Sequence, residues 1–393
     1  MKKDETPFYL TRVECPICKT VNEFETIKLG AYTESGRDTD FRPLNRQWLN
    51  PRYQNTNPLL FFMATCSSCF YTREFNRRFR EWKSDATFRT HRQAVIRQRH
   101  LSALADDDSV IRQLGSALWP EAYPLKTALN KLLIGIKDEL LLDHPSHFDI
   151  ARWYLRTAWL FREMSDGGES RPSPYVVLRR QLLGRVRSLT SAIATVGESV
   201  SEIHELLDSH PESVATSPQT AEEERAISTD SVQGLADAVN TLRTLADQFA
   251  GQLHTLDSGT VVGEESANGE RFGDHPSYTS FLKSLHSLWD GVPTDELEAL
   301  QLSLENYRLA YEEGHRVPKG NAQIQLAYMV GELSRRCGRT REAQQYLNTA
   351  VRSGREWIHE HQRDPTKSAM ARHVVDLAIE QLHRMREDSK HTA

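Results

Sequence analysis

Four of the five cysteines in this 393-residue chain fall into two identical spacings, Cys15-Pro16-Ile17-Cys18 and Cys66-Ser67-Ser68-Cys69. Two residues between thiols let one tight turn aim both sulfurs at a common point, and two such turns supply the four thiolates of a tetrahedral site. The chemistry predicted is a structural Zn2+ site on Cys15, Cys18, Cys66 and Cys69, with no coordination position left open for a substrate. Two other readings of these residues stay open. Redox-active dithiols would want a thioredoxin-like βαβ setting, and the flanking segments are short, polar and rich in turn formers. Structural disulfides would want an oxidising compartment, whereas Met1 to Pro7 leads into no apolar run of a secretory signal, so the expectation is a cytoplasmic chain with reduced thiols. Cys337, alone in a helical pattern far downstream, reads as a small core residue.

The elements that position these thiols are less usual. Zinc-ribbon pairs commonly lie about 15–20 residues apart, and the interval from Lys19 to Thr65 is far longer. A structureless loop of that length closing on a metal is entropically poor, so part of it must fold. Glu23 to Leu29 alternates apolar and polar residues as a strand does, and Leu59 to Met63 has strand character. Asn50-Pro51 and Asn57-Pro58 mark turns between them. The tip carries Arg37-Asp38-Thr39-Asp40-Phe41-Arg42-Pro43. Two carboxylates there could act as acid and base, but no nucleophile or base elsewhere completes a site. Arg37, Asp38 and Asp40 are therefore assigned to a structural ion-pair and turn network that holds the insert.

The order Cys-Pro-x-Cys, Arg-Asp-x-Asp-Phe, Asn-Pro before an aromatic and apolar strand, then Cys-x-x-Cys followed by Phe70-Tyr71, resembles the bacterial family catalogued as domain of unknown function 2225. The resemblance is close through His100 and looser in the helical remainder. It implies an N-terminal zinc-binding region followed by tetratricopeptide-like helices in a bacterial cytosolic protein, and it implies no reaction. The chain departs from the family in carrying Ser67-Ser68, where proline or asparagine is common, and in a long helical insertion in its middle.

Net charge is −5, with 49 Lys and Arg against 54 Asp and Glu, which argues against a globally nucleic-acid-binding protein. The distribution is uneven. From Tyr71 to His100 nine Lys and Arg face three acids, interleaved with Phe75, Phe79, Trp82 and Phe88. A basic aromatic helix here could track a phosphate backbone through Arg73, Arg77, Arg78 and Arg80. The same helical spacing of Phe75, Phe79 and Trp82 is also that of a core-facing stripe beneath a solvated basic face. No apolar run approaches the ~18 residues that span a bilayer, so no membrane partner is expected.

Beyond residue 100 the pattern is helical. Asp106 to Ser109 offers an N-cap, Pro120 a stop, and Leu125 to Leu142 and Phe148 to Met164 read as amphipathic helices. Val186, Leu189, Ile193, Val196, Val200, Ile203 and Leu207 step alternately by three and four, as an a/d seam does. After a polar linker from His210 to about Asp230 the seam returns as Val232, Leu235, Val239, Leu242, Ala246, Phe249, Leu253 and Leu256, which predicts an antiparallel coiled-coil hairpin or, alternatively, pairing between chains. A Gly-rich stretch from Asp257 to Pro276 reads as a flexible loop. Helices resume, and Ile324 to Ala350 matches one tetratricopeptide repeat through Gly331, Gly338, Ala343, Leu347 and Ala350. A last helix is expected to turn Met370, Val374, Leu377 and Leu382 inward.

The fold expected is α+β and mostly α: a zinc-ribbon-like module (1–72), a basic helix with a first helical-repeat segment (73–178), a coiled-coil hairpin insertion (179–257), a loop (258–277) and a tetratricopeptide-like array (278–393). The function expected is a zinc-binding interaction scaffold without catalysis, taking a protein partner on the array or the hairpin, or a second copy of itself. The alternative is a nucleic-acid-binding factor using the zinc module and the basic segment. Gly-rich phosphate loops, Gly-x-Ser-x-Gly and His-Glu-x-x-His are all absent.

Overall fold

The computed structural model describes residues 6–165, 272–313 and 320–391, together with 186, 189–190, 192–203, 205 and 231–248. The chain divides into two compact units, residues 1–170 with 269–393, and residues 171–268. The described residues are mostly α, with three two-stranded antiparallel sheets near the N-terminus.

In the first unit β1 (Phe8–Glu14) pairs with β2 (Val21–Ile27), β3 (Tyr32–Arg37) with β4 (Pro43–Trp48), and β5 (Met63–Thr65) with β6 (Thr72–Glu74). The first and third ladders each end in a Cys-x-x-Cys turn, and the β3–β4 hairpin is what folds inside the long interval. The apolar run at Leu59–Met63 is not a strand throughout. Pro58–Phe61 forms a 3-10 turn capped by the Asn57 side chain, and extended pairing begins only at Met63. Proline at the first position of that turn has no N–H to give a ladder, which explains the difference.

The expected basic helix is broken into pieces: α1 (Arg77–Arg80), a 3-10 turn at Trp82–Ser84, a π turn at Phe88–Arg92 and α2 (Gln93–Ala105). Tertiary packing overrides the helical spacing here. Phe79 and Trp82 turn inward with Val13, Ile17, Ala64, Tyr71, Ile96 and Leu142 to form the core around the cysteines. Trp82 is fixed there by Nε1 donating to the Glu14 carbonyl at 2.8 Å.

The helices that follow are α3 (Val110–Ser116), capped by Ser109, α4 (Pro124–Leu140) and α5 (His147–Ser165). The chain returns with α6 (Tyr278–Leu288), α7 (Glu296–Glu313), α8 (Asn321–Arg336), α9 (Thr340–Glu360) and α10 (Pro365–His391). Small residues let these helices close on each other: Ala151, Ala158, Ala299 and Ser303 are fully buried where α5 meets α7, and Ser303 Oγ donates to the Ala151 carbonyl at 2.9 Å. Between α8 and α9 a Cβ on Gly331 would lie 2.8 Å from Leu347, so only glycine allows that approach. Gly338, at φ +74°, ends α8 in a Schellman turn, with its N–H on the Arg335 carbonyl and that of Arg339 on Ser334.

Two expectations fail in detail. In α10 the buried face is Ala371, Val374, Val375, Ala378 and Met385; Val374 turns inward as expected and Leu377 and Leu382 are half-buried, whereas Met370 is exposed. Of the loop assigned to 258–277, residues 258–271 lie outside the described residues. Its last part is core: Phe272 is buried among Trp119, Tyr123, Tyr278 and Phe281 and pairs with His275 in a tight bridge. Aromatic burial there outweighs the glycine content of the surrounding sequence.

In the second unit residues 192–203 and 231–248 are helical, and a Cβ on Gly197 would lie 3.4 Å from Val239, so the two arms lie side by side at that point. Alternate seam positions differ. Val186, Ile193, Val200 and Ala246 are buried, whereas Leu189, Val196, Ile203, Leu235 and Leu242 are about half exposed. The expected linker and the outer ends of both arms lie outside the described residues.

Candidate metal centre

The two cysteine turns have the same local geometry. In each, the first cysteine's N–H donates to the carbonyl of the residue five positions on: Cys15 N to Thr20 O at 2.8 Å and Cys66 N to Tyr71 O at 2.9 Å. In each, the residue four beyond the first cysteine donates back to that cysteine's carbonyl, Lys19 at 3.1 Å and Phe70 at 3.0 Å. Both of these residues sit in the left-handed region, Lys19 at φ +70° and Phe70 at φ +62°, which non-glycine residues rarely adopt. The Phe70 ring fills the space over Gly115, where a Cβ would lie 2.2 Å from it, so α3 holds the second turn in place.

These turns bring all four sulfurs within 4.8 Å of one another, with Cys15 Sγ 3.7 Å from Cys69 Sγ and Cys18 Sγ 3.5 Å from Cys66 Sγ. None is in a disulfide. A tetrahedron with metal–sulfur bonds of about 2.3 Å has edges of about 3.8 Å. The observed spacings are close to that edge and far from a covalent S–S bond of about 2.05 Å. The cluster can therefore hold a metal ion. Three of the cysteines are buried and Cys18 is half-buried.

The electrostatics favour a cation. The Cys66 thiol is held well below its ordinary range by hydrogen bonds from Cys15 and Cys69, and the same bonds push Cys69 up and Cys15 up to about 12. One thiolate thus suppresses the ionisation of its neighbours, and a positive ion at the centre is what would let all four ionise.

Asn22, buried beside the cluster, ties one turn to the other. Its Nδ2 donates to Thr20 O at 3.0 Å and to Cys66 Sγ at 3.4 Å, and its Oδ1 accepts from Ser67 N at 2.8 Å and Ser67 Oγ at 2.9 Å. Proline at 67 could not make the backbone bond. A second support comes from α2 and α4. His100 Nδ1 lies 2.6 Å from Asp138 Oδ1 and His100 Nε2 lies 2.7 Å from the Cys69 carbonyl, both side chains being fully buried, while Asp138 Oδ2 accepts from Thr72 N at 2.8 Å. Both partners of the ring accept, so both of its nitrogens carry protons. Burial alone would lower the His100 pKa, and the Asp138 carboxylate outweighs it and raises it. Such supports orient ligand-bearing turns. Asn22, His100 and Asp138 have no signature in the sequence, since a lone polar residue at strand or helix spacing is indistinguishable there from a solvated one.

The acidic tip of the β3–β4 hairpin lies elsewhere in the unit, against α5, α7 and α8. Arg162 reaches Asp38 and Asp40, each at 3.0 Å, and Glu296 at 2.5 Å. Arg336 reaches Asp38 at 2.9 Å and Glu332 at 2.7 Å. Thr39 is held by Glu332 at 2.5 Å through its hydroxyl and by the Tyr328 hydroxyl at 2.7 Å through its carbonyl. Arg37, placed in this network by its position in the sequence, is exposed and has no ion pair among the described residues. Asp38 and Asp40 find their partners 122 or more residues away instead. Asp40 is fully buried, and Asp38, Asp40, Glu296 and Glu332 are all committed to guanidinium groups.

The arginines offered for nucleic acid are not brought together as one face. Arg73 points inward to Glu139 and to the Tyr71 hydroxyl, the latter at 3.0 Å. Arg77 is exposed and paired with Glu81 at 2.9 Å, and Arg80 is exposed beside Phe75. The side chain of Arg78 lies outside the described residues. Among the described residues no helix is long and apolar enough to cross a membrane.

No curated protein and no solved structure matches the chain. One family model does, over residues 8–183 and 289–377, and the stretch it leaves unmatched contains most of the second unit and the glycine-rich segment after it. That match extends through the helices as well as the cysteine turns, and the chain belongs to the family described as "Uncharacterized protein conserved in bacteria (DUF2225)".

Proposed function

We propose that this chain is a non-catalytic interaction scaffold of the cytoplasm, whose N-terminal module is held by a structural zinc ion on Cys15, Cys18, Cys66 and Cys69. The observation that carries the reading is the convergence of four mostly buried sulfurs at tetrahedral spacing from two turns of the same geometry. Thiolate ligands at that spacing suit zinc, and a site of four protein sulfurs leaves no position for a reacting water. Reduced thiols accord with a cytoplasmic setting. The helices α8 to α10 have the small-residue closure and glycine turn that tetratricopeptide-like hairpins use, and such arrays present protein-binding surfaces. The half-exposed Leu189, Val196, Leu235 and Leu242 add apolar positions of heptad spacing, which suit a helical protein partner or a second copy.

The nucleic-acid reading draws less support, because Phe79 and Trp82, the rings that would stack on bases, are core residues. Metal content on the purified chain, alongside Cys15→Ser and Cys66→Ser variants, tests the first half of the proposal. About one zinc per chain is expected, lost in both variants together with folding of the module. Absence of metal with thiols cycling to disulfides would replace it with a redox function. The second half is tested by light scattering and affinity capture of the intact chain. Finding neither an oligomer nor a protein partner would overturn it.

A further inference from the structure

Arg156, on α5, is a largely buried cation without a carboxylate partner among the described residues. Its Nη1 donates to the Arg152 carbonyl at 2.9 Å, and its guanidinium lies 4.5 Å from the Phe62 ring and 5.6 Å from that of Trp159. The nearby acids are spoken for, since Glu74 and Asp149 both pair with Arg152, at 3.5 and 2.9 Å. Burial, with the like charge of Arg152, pushes the Arg156 pKa down to about 10. Two ring faces and one carbonyl restore only part of the hydration that a guanidinium loses, so this group is left short of a counter-charge. Of the neighbouring buried or half-buried arginines, Arg46 is compensated by Glu163, and Arg162 and Arg336 by the hairpin tip.

Arg156 and its neighbour Trp159 stand where two cavities meet. One, of about 510 Å³, is lined by β3, β4, the 58–62 turn and α5, and the other, of about 240 Å³, by α5, α7 and α8; Phe41, Arg156 and Trp159 line both. The indole N–H of Trp159 is buried and has no acceptor among the described residues. Phe41 sits at φ +65°, a strained conformation for a bulky residue. It is kept there by the hairpin tip. The larger cavity also exposes Phe61, Phe62 and Phe75, and its charged lining beyond the pairs already named is Glu34 and Arg37, which offset one another. Arg156 is thus the unbalanced charge, among aromatic rings and beside an unused N–H donor.

We propose that this cleft binds a planar aromatic compound carrying an oxyanion, phosphate or carboxylate. The anion lies on the Arg156 guanidinium with the Trp159 N–H as a further donor, and the ring is held by Phe41 and the neighbouring aromatic side chains. The guanidinium fork matches the spacing of two oxygens of either anion, and desolvation strengthens the pairing. The volumes suit a small molecule rather than a peptide or a helix. The proposal is independent of the metal and of any protein partner.

The test is calorimetric titration of the full-length chain with phenyl phosphate and with benzoate, up to about 10 mM, where even a site of millimolar affinity fills. Saturable binding of at least one is expected, and which of the two binds tighter identifies the anion. Arg156→Met should abolish it, and Trp159→Phe should weaken it severalfold. Should Arg156→Met fail to fold, Arg156→Lys keeps the charge without the fork and is expected to bind about tenfold more weakly. Binding of neither compound, or unchanged affinity in the Arg156 and Trp159 variants, would overturn the proposal. Inorganic phosphate binding as tightly as phenyl phosphate would overturn the aromatic part of it.

Discussion

The segment between the two cysteine pairs is fastened at both ends, and the two fastenings are made of opposite materials. At its base, four like groups converge that repel one another once ionised and that could hold a cation from outside. At its tip, Asp38, Asp40, Glu296 and Glu332 meet Arg162, Arg335 and Arg336, so each carboxylate has a guanidinium partner from the chain itself. The difference makes the base conditional on metal and redox state, and the tip conditional on pH. The two can therefore be broken separately, which says which of them holds the hairpin against the helices.

The largest effect is expected at the base. Chelation, or Cys66→Ser, removes the cation or one of its four ligands, and in small zinc modules the metal's binding free energy of roughly 10 kcal/mol or more is also folding free energy. The β1–β2 and β5–β6 ladders should lose their hydrogen-exchange protection. Helices α7 to α10, which do not touch the cysteines, should keep theirs. Protection lost in both regions together would mean that the base holds the whole unit, and the comparison drawn above would fail.

At the tip, Asp40→Ala leaves Arg162 and Arg336 in a partly buried site with one fewer counter-charge. Breaking a buried pair from one side is expected to destabilise the unit by about 3 kcal/mol, readable as a shift in the denaturant midpoint with unchanged metal content. A change near zero would show that solvent, not Asp40, neutralises these arginines. Arg37→Ala serves as the control, expected to be silent because the side chain is exposed and unpaired among the described residues.

The two fastenings also differ in how far they could be read from the sequence. The base was legible because a Cys-x-x-Cys turn is local: its spacing alone fixes where two sulfurs point, and the second pair repeats the first. The helices were legible for the same reason, since Ser109 and Gly338 mark ends within one turn of where they act. The tip was legible only in kind. Asp38 and Asp40 signal ion pairs, but nothing near them names Arg162 or Arg336, and the adjacent Arg37 was the wrong partner. The basic segment was legible in its burial and not in its continuity: Phe79 and Trp82 turn into the core with Phe75 packed against them, as a core-facing stripe does, but the chain bends where the spacing predicts one helix.

Asn22→Ala probes the contact between the two cysteine turns without touching a ligand. It removes the acceptor for Ser67 N and Oγ and a donor to Cys66 Sγ. The unpaired Ser67 N–H lies at a partly exposed position, so a loss of about 1–2 kcal/mol is expected, with the metal still bound but released faster to a chelator. Unchanged release would show that each turn is rigid on its own and that the base is simply two independent halves joined by the ion.

The smallest effect is the pH dependence that the tip contributes. Glu332 is fully buried and faces Arg335 at 2.8 Å, Arg336 at 2.7 Å and the Thr39 hydroxyl, with Asp38, Asp40 and the Tyr328 hydroxyl close by. Burial alone would raise its pKa, but the bonds from Arg335 and Arg336 outweigh it, so the net shift is downward. Asp38 is shifted down as well, burial again being overcome by Arg336. The unfolded chain therefore takes up protons before the folded one does as the solution is acidified. The stability these groups contribute is complete above the ordinary carboxylate value of about 4.3 and is lost as the pH falls through their lowered values. Glu332→Gln cannot titrate, so its stability should fall less steeply than the wild type's over that range, by a difference of about 1 kcal/mol. The comparison is best made on metal-free Cys66→Ser backgrounds, where acid release of the metal no longer contributes to the slope. Equal slopes there would mean that Arg335 and Arg336 hold Glu332 no better than water holds it in the unfolded chain, and the tip would then be fastened by Asp40 and the Thr39 contacts alone.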